Sequence, residues 1–294
     1  MTISLSYRGT GKRGIEAWQS LVHVCRRWRN LVFGSPRHLN LRLCCTPDTP
    51  VKDKLRIWPA LPLIIQGYIR VEGTDNIIAA FMQKDRVSQV DLVFTNRQLE
   101  RVLVAMQVPF PELTYLRISL YNGTPPPVIP LPDSFLGGSA PSLRYFESSG
   151  IPFPGMPNLL RSATHLVSLR LTNIPHSGYI SPEAIVALIS VLSSLETISL
   201  GFQSSQSRPN LQSRSLPPPK RSILSALRRL YFKGVTEYLE QLVTGIDTPQ
   251  LDEMHITFFN QIDFDCPRLA QFINCTPTLR VLNEVHVFDD SIIL

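Results

Sequence analysis

The sequence has no run of apolar residues near the ~18 that a membrane span needs. Its first twenty residues hold no apolar core, so they do not read as a secretory signal. Cysteine is sparse: Cys25, Cys44, Cys45, Cys266 and Cys275 make an odd set of five with no C-x-x-C spacing. That set argues against a disulfide framework or a zinc ribbon and leaves reduced thiols, as expected of an intracellular chain, cytoplasmic or nuclear. The glycosylation-type triplets at Asn122 and Asn274 then read as chance matches. Charge is low as well, with Asp, Glu, Lys and Arg at 18% against the usual ~25%.

Signatures of chemistry are equally scarce. Gly9, Gly11 and Lys12 are a fragment of a phosphate loop, but Ser6 stands where the full pattern needs glycine and Arg13 where it needs Ser or Thr. His165, His176, His255 and His286 are scattered, with no H-x-x-x-H or H-E-x-x-H spacing. His23 and Cys25 lie two apart, which on a helix puts them on different faces. Asp263 and Asp265 have no third ligand spaced for a metal, and they read as a solvated turn. The sequence therefore assigns no catalytic, cofactor-binding or metal-ligating residue, and enzyme is the class it supports least.

What is abundant is leucine, with 39 residues, and proline, with 25. The leucines repeat. L-x-x-L-x-I-x-L stands at Leu113, Leu116, Ile118 and Leu120, and close copies stand at Leu166/Leu169/Leu171, Leu195/Ile198/Leu200 and Leu227/Leu230/Phe232. Weaker copies are Val87/Val90/Leu92/Phe94, Leu143/Phe146, Leu251/Met254/Ile256 and Leu279/Leu282. The phrases start 23 to 32 residues apart, against the ~20–29 of leucine-rich repeats. Between them, 75–86, 96–106, 181–192, 236–244 and 266–274 carry apolar residues at helical spacing. Ser181, Pro182 and Glu183 form the clearest helix start.

One strand and one helix cannot bury their apolar faces alone, but stacked copies can. The expected fold is an α/β irregular leucine-rich-repeat solenoid with parallel strands over 61–294. The competing reading is an ordinary α/β domain with parallel strands. The bend position that such repeats fill with Asn or Cys holds Tyr121, Ile174, Gln203 and Phe259, hence the expected irregularity. Proline-rich 124–157 and Ser/Gln/Pro-rich 204–219 should leave the array as loops.

In L-x-x-L-x-L, the residue between the last two apolar positions points away from the core. Those residues are Arg117, Arg170, Ser199, Tyr231 and His255, and their neighbours two along are Ser119, Thr172, Gly201, Lys233 and Thr257. Stacking should align them as a mixed, mildly basic strip. The partner-binding candidates are Arg117, Ser119, Arg170, Thr172, Tyr231, Lys233, His255 and Thr257.

The net charge of +6 is local: residues 1–56 hold 11 Lys/Arg against 3 Asp/Glu, while 57–294 hold 18 against 20. Trp18, Leu21, Val24, Cys25, Trp28, Leu31 and Val32 recur at 3- and 4-residue steps, as in one amphipathic helix, and Gly34 and Pro36 supply the stop. Three readings compete: a solvated basic face packed on the end of the array, a nucleic-acid patch, and a docking helix. The patch is short and no reader motif accompanies it, so nucleic acid is not the expected partner.

The run from Leu21 to Leu31, Leu-Val-His-Val-Cys-Arg-Arg-Trp-Arg-Asn-Leu, followed by Ser35-Pro36-Arg37-His38-Leu39, resembles the second half of an F-box. The Pro-rich continuation through Pro50 to Pro62, with a leucine-repeat body behind it, is similar to F-box proteins of basidiomycete fungi. The resemblance implies docking onto a Skp-family adaptor of a cullin–RING ubiquitin ligase, with a protein substrate captured on the repeats. Carried over by position, Leu21, Val24, Cys25, Trp28 and Leu31 are the adaptor-docking candidates. The Leu-Pro pair and apolar helix that open an F-box do not occur in 1–17, so the motif reads as N-terminally truncated. The alternative is a leucine-repeat scaffold without ligase function. The expected organisation is a truncated F-box-like helical segment at 1–45, a Pro-rich connector at 46–60 and the repeat domain at 61–294.

Overall fold

The computed structural model describes residues 20, 22–34, 41–69, 71–121, 129–153, 158–209, 221–259, 266–279, 286–288 and 291–293. The phrases at Leu113, Leu143, Leu166, Leu195, Leu227 and Leu251 each form a strand preceded by a turn; the Val87 phrase opens directly on its strand, and Leu282 lies outside the described residues. The N–H of Leu113 donates to Phe110 O, Leu143 to Ala140 O, Leu166 to Ala163 O, Leu195 to Leu192 O, Leu227 to Leu224 O and Leu251 to Thr248 O, all within 3.0–3.2 Å. These leucines are almost wholly buried. The first Leu of the phrase thus closes a turn under the core, and the strand starts about two residues later.

The strands are β1 (Leu43–Cys45), β2 (Leu63–Tyr68), β3 (Val87–Phe94), β4 (Tyr115–Leu120), β5 (Tyr145–Ser149), β6 (Ser168–Ile174), β7 (Thr197–Phe202), β8 (Ser222–Ile223), β9 (Arg229–Gly234), β10 (Ile246–Asp247), β11 (Glu253–Phe258), β12 (His286–Phe288) and β13 (Ser291–Ile293). Eleven form one sheet in the order β1-β2-β3-β4-β5-β6-β7-β9-β11-β13-β12. The first nine are parallel, each beside its predecessor. β8 and β10 pair separately. This is an α/β fold with a nine-strand parallel run, an arrangement compatible with an α/β solenoid.

The run does not stay parallel to its end. β13 pairs antiparallel with β11, and β12 antiparallel with β13. An antiparallel pair needs only a short connection and no crossover helix.

The helices are α1 (Arg26–Gly34), α2 (Val51–Ile57), α3 (Thr74–Phe81), α4 (Asn96–Ala105), α5 (Asn158–Ser162), α6 (Pro182–Ile189), α7 (Thr236–Thr244) and α8 (Pro267–Cys275). α3, α4, α6, α7 and α8 overlap the segments with helical spacing, with ends differing by a few residues, while α2 and α5 lie outside those segments. The segment 75–86 is split: α3 stops at Phe81 and a 3₁₀ turn follows at Lys84–Arg86. At α6, Ser181 Oγ accepts the Ala184 N–H at 3.2 Å, with Pro182 at the first turn. Neighbouring helices pack side by side in the pairs α2–α3, α3–α4, α6–α7 and α7–α8. Leu43–Cys45, inside segment 1–45, joins the sheet, and α2 lies inside connector 46–60.

The inward positions align as ladders. Val90, Leu116, Phe146, Leu169, Ile198, Leu230 and Met254 are successive register partners, as are Leu92, Ile118, Ser148, Leu171, Leu200, Phe232 and Ile256. All are buried. Tyr238 is wholly buried among Tyr179, Phe202 and Phe232, and its hydroxyl donates to Ile180 O at 2.8 Å. Burial pushes this phenol well above its ordinary range.

Truncating a ladder residue tests this packing. Leu169→Ala, between Phe146 and Ile198, should lower unfolding free energy by about 2–5 kcal/mol in urea titration. Met82→Ala, at a position 73% exposed, should change it by less than about 0.5 kcal/mol.

Candidate functional site

Two surfaces collect the candidate residues. The first is α1. The expected single helix over 18–33 is broken: Ser20 and Val22 are helical, 23–25 are not, and α1 starts at Arg26. Val22, His23, Val24 and Cys25 are weak helix formers in a row. The break is stabilised by Arg29, whose Nε donates to Val22 O at 3.1 Å. Val22 and Val32 are buried, and His23 and Phe33 meet the edge of Trp58 at 6.1 and 6.3 Å.

Those contacts leave the other apolar side chains uncovered. Val24 is 65% exposed, Trp28 47% and Leu31 61%. They follow at steps of four and three, so on α1 Trp28 and Leu31 share a face. Cys25 is exposed too. Leu21 lies outside the described residues. An indole and a leucine side chain held in water beside Arg26 and Arg27 leave apolar area that a partner could bury.

The second surface is the outward face of the sheet, built from three rows of strand residues. Asp91, Arg117, Glu147, Arg170, Ser199, Tyr231 and His255 are successive register partners. A second row is Gln89, Tyr115, Tyr145, Ser168, Thr197, Arg229 and Glu253. The third includes Val93, Ser119, Ser149 and Thr172, and beyond them Gly201, Lys233 and Thr257. The candidates Arg117, Arg170, Tyr231 and His255 thus share one row, and Ser119, Thr172, Lys233 and Thr257 lie in the next.

Their environments differ from a uniformly basic strip. Arg117 Nε donates to Glu147 Oε1 at 3.2 Å, and its NH1 lies 3.5 Å from Asp91 Oδ1. Burial pulls the Arg117 guanidinium down, but Asp91 and Glu147 outweigh it and leave its pKa raised. Tyr115 and Tyr145 stack with centroids 4.4 Å apart and planes 4° from parallel. The Tyr145 hydroxyl donates to Glu147, and burial followed by that bond drives its pKa up. Arg170 lies over the Tyr145 ring with Cζ 5.9 Å from the centroid, and its buried Nε has no hydrogen-bond partner among the described residues.

Farther along, Tyr231 donates to Glu253 Oε1 at 2.6 Å and stacks on His255 at 5.0 Å. His255 Nε2 is 3.1 Å from the same carboxylate oxygen. Arg229 Nε donates to Thr197 Oγ1 at 3.1 Å, and Lys233 Nζ sits 5.6 Å over the Phe259 ring. Ser119 is buried and its Oγ lacks a hydrogen-bond partner among the described residues. Thr172 O accepts the Gly150 N–H at 3.0 Å.

Sequence reasoning passed over Asp91, Tyr115, Tyr145, Glu147, Arg229 and Glu253. The signal for two of them was available. Asp91 and Glu147 occupy the same outward slot as Arg117, in the weaker copies of the phrase.

No protein-family model, curated protein or solved structure matches the chain. Among the described residues, no helix is long and apolar enough to cross a membrane, and no group of three or more His, Cys, Asp or Glu is placed to hold a metal ion.

Asp91 makes the electrostatics testable. Burial raises its pKa first, Arg117 pulls it back and Glu147 adds to the rise. A carboxyl raised in the folded state binds its proton more tightly there than in the unfolded chain, so its contribution to stability falls as pH rises past the ordinary carboxylate range. Asp91→Asn removes that loss and keeps the Arg117–Glu147 pair. In denaturant titrations the variant should match the parent in acid and exceed it at neutral pH. A less stable variant at pH 7 would show instead that Arg117 needs both carboxylates.

Proposed function

We propose that the chain is a substrate-recognition subunit of a Skp–cullin–F-box ubiquitin ligase. In this reading the parallel array is an irregular leucine-rich-repeat domain, and the segment ending in α1 is an F-box-like remnant. The remnant binds a Skp-family adaptor and the outward sheet face binds a protein substrate. Such a protein works in the cytoplasm or nucleus, by binding rather than by chemistry.

The observation that carries the reading is the uncovered apolar set on and before α1. Val24, Trp28 and Leu31 fall inside the run from Leu21 to Leu31 that resembles the F-box, and they are exposed where Val22 and Val32 are not. Burying a side chain of this size in an interface is worth about 1.5–3 kcal/mol, so three together are enough to anchor a helix. The sequential parallel strands supply the second half: a long face with polar, charged and aromatic side chains in rows. Recognition on such extended faces is how stacked-repeat proteins bind.

The test is retention of a purified Skp-family adaptor by the immobilised full chain. The reading expects retention by the parent chain and its loss in a Val24→Ser, Trp28→Ala, Leu31→Ser triple variant. The variant should keep the parent melting temperature, since these side chains are exposed. A parent chain that fails to retain the adaptor would favour the scaffold alternative, in which the repeats bind partners without a ligase.

A further inference from the structure

The outward face has opposite charge at its two ends. At the β2–β3 end a cavity of about 540 Å³ is lined in part by Asp48, Tyr68, Glu72 and Asp91, with no Lys or Arg among the described residues of its lining. Its wall is fixed by Pro47, which is packed so closely on two glycines that a Cβ at Gly73 would come within 2.3 Å of Pro47 Cβ and one at Gly67 within 2.8 Å of Pro47 Cδ. Arg117 reaches Asp91 from the side, but it is shared with Glu147, so the trio is net negative.

At the other end the balance reverses. Arg170, Arg229 and Lys233 make no ion pair among the described residues, and Arg229 and Lys233 are exposed. The nearby carboxylate, Glu253, is taken up by Tyr231 and His255. Between the two ends lie Tyr115 and Tyr145, half-buried and stacked face to face, with Arg170 over the Tyr145 ring.

We infer that this face seats an extended segment of a partner protein lying across the strands. A Lys or Arg of the segment enters the carboxylate-lined cavity, and an Asp or Glu of the segment meets Arg229 and Lys233. The inference rests on the reading of this face as the substrate surface and adds the chemistry of the substrate. A cation in the cavity gains from Glu72 and Asp91 and from the Tyr68 ring. Five strand steps separate β3 from β9 in the sheet. At ~4.8 Å per step this is ~24 Å, which an extended chain at ~3.3 Å per residue covers in about seven residues. The carboxylates disfavour a phosphodiester chain at that end, which argues for a peptide over RNA.

The test is selection of a phage-displayed random 12-residue peptide library on the full chain, followed by binding of the enriched peptides measured by fluorescence polarisation. Enriched peptides should carry a basic and an acidic residue about six to eight positions apart. Glu72→Lys should weaken their binding roughly three- to tenfold, the effect of one exposed ion pair turned into a like-charge contact. Exchanging the peptide's basic residue for Glu should restore it. Lys233→Glu should do the same for the acidic residue. Both positions are exposed, so the variants should melt with the parent.

Peptides without the spaced pair, binding indifferent to both reversals, no enrichment, or displacement by a 12-nucleotide single-stranded RNA would each overturn the inference. No adaptor is present in this assay. A chain that selects the peptides but does not retain the adaptor would leave this inference standing and count against the ligase reading.

Discussion

The rest of the structure depends on one backbone constraint, the in-register stacking of successive strand starts. Thr114 N–H donates to Ser88 O, Arg144 to Thr114 O, Val167 to Arg144 O, Glu196 to Val167 O, Arg228 to Glu196 O and Asp252 to Arg228 O, each at 2.8–2.9 Å. One residue per unit thus donates to the unit before and accepts from the unit after. A shift of one residue would turn every inward side chain outward, so the chain has little freedom in register once the first pair forms. The strand starts at Tyr115, Tyr145, Ser168, Thr197, Arg229 and Glu253 follow directly. So does the burial of a leucine at each preceding turn.

The same constraint creates the outward face. Once strands stack in register at ~4.8 Å, outward residues of adjacent units stand side by side whatever their charge. Like charges there would repel, and Asp91, Arg117 and Glu147 alternate instead. Aromatic neighbours stack, as Tyr115 on Tyr145 and Tyr231 on His255 do. α1 lies outside this order. It is held through Val22, Val32, Phe33 and the Arg29–Val22 hydrogen bond, with its remaining apolar side chains in water.

Much of the array is legible in the sequence because its inward ladder is a strict pattern of large apolar residues. The clean phrases at Leu113, Leu166, Leu195 and Leu227 each sit at the start of a strand unit, and the helix at Pro182–Ile189 begins at the Ser-Pro-Glu signal. β1 and β2 were harder to see. Leu43–Cys45 is three residues long, and Leu63-Ile64-Ile65 is a continuous apolar run rather than a repeat phrase. The broken helix before Arg26 was missed because apolar spacing is blind to the weak helix propensity of Val-His-Val-Cys. The charge pattern of the outward face was half legible. Arg117 is visible in its own phrase, but its neutralisation depends on two carboxylates 26 and 30 residues away in sequence.

The proposed function is a division of labour, with α1 and the residues before it for an adaptor and the strand rows for a substrate. Hydrogen–deuterium exchange of the full chain, alone and with a purified Skp-family adaptor, tests it most directly. The account predicts slowed exchange at 22–34 on adding the adaptor, with the peptides covering β3 to β9 unchanged. Slowing spread over those strands, or none at 22–34, would contradict it.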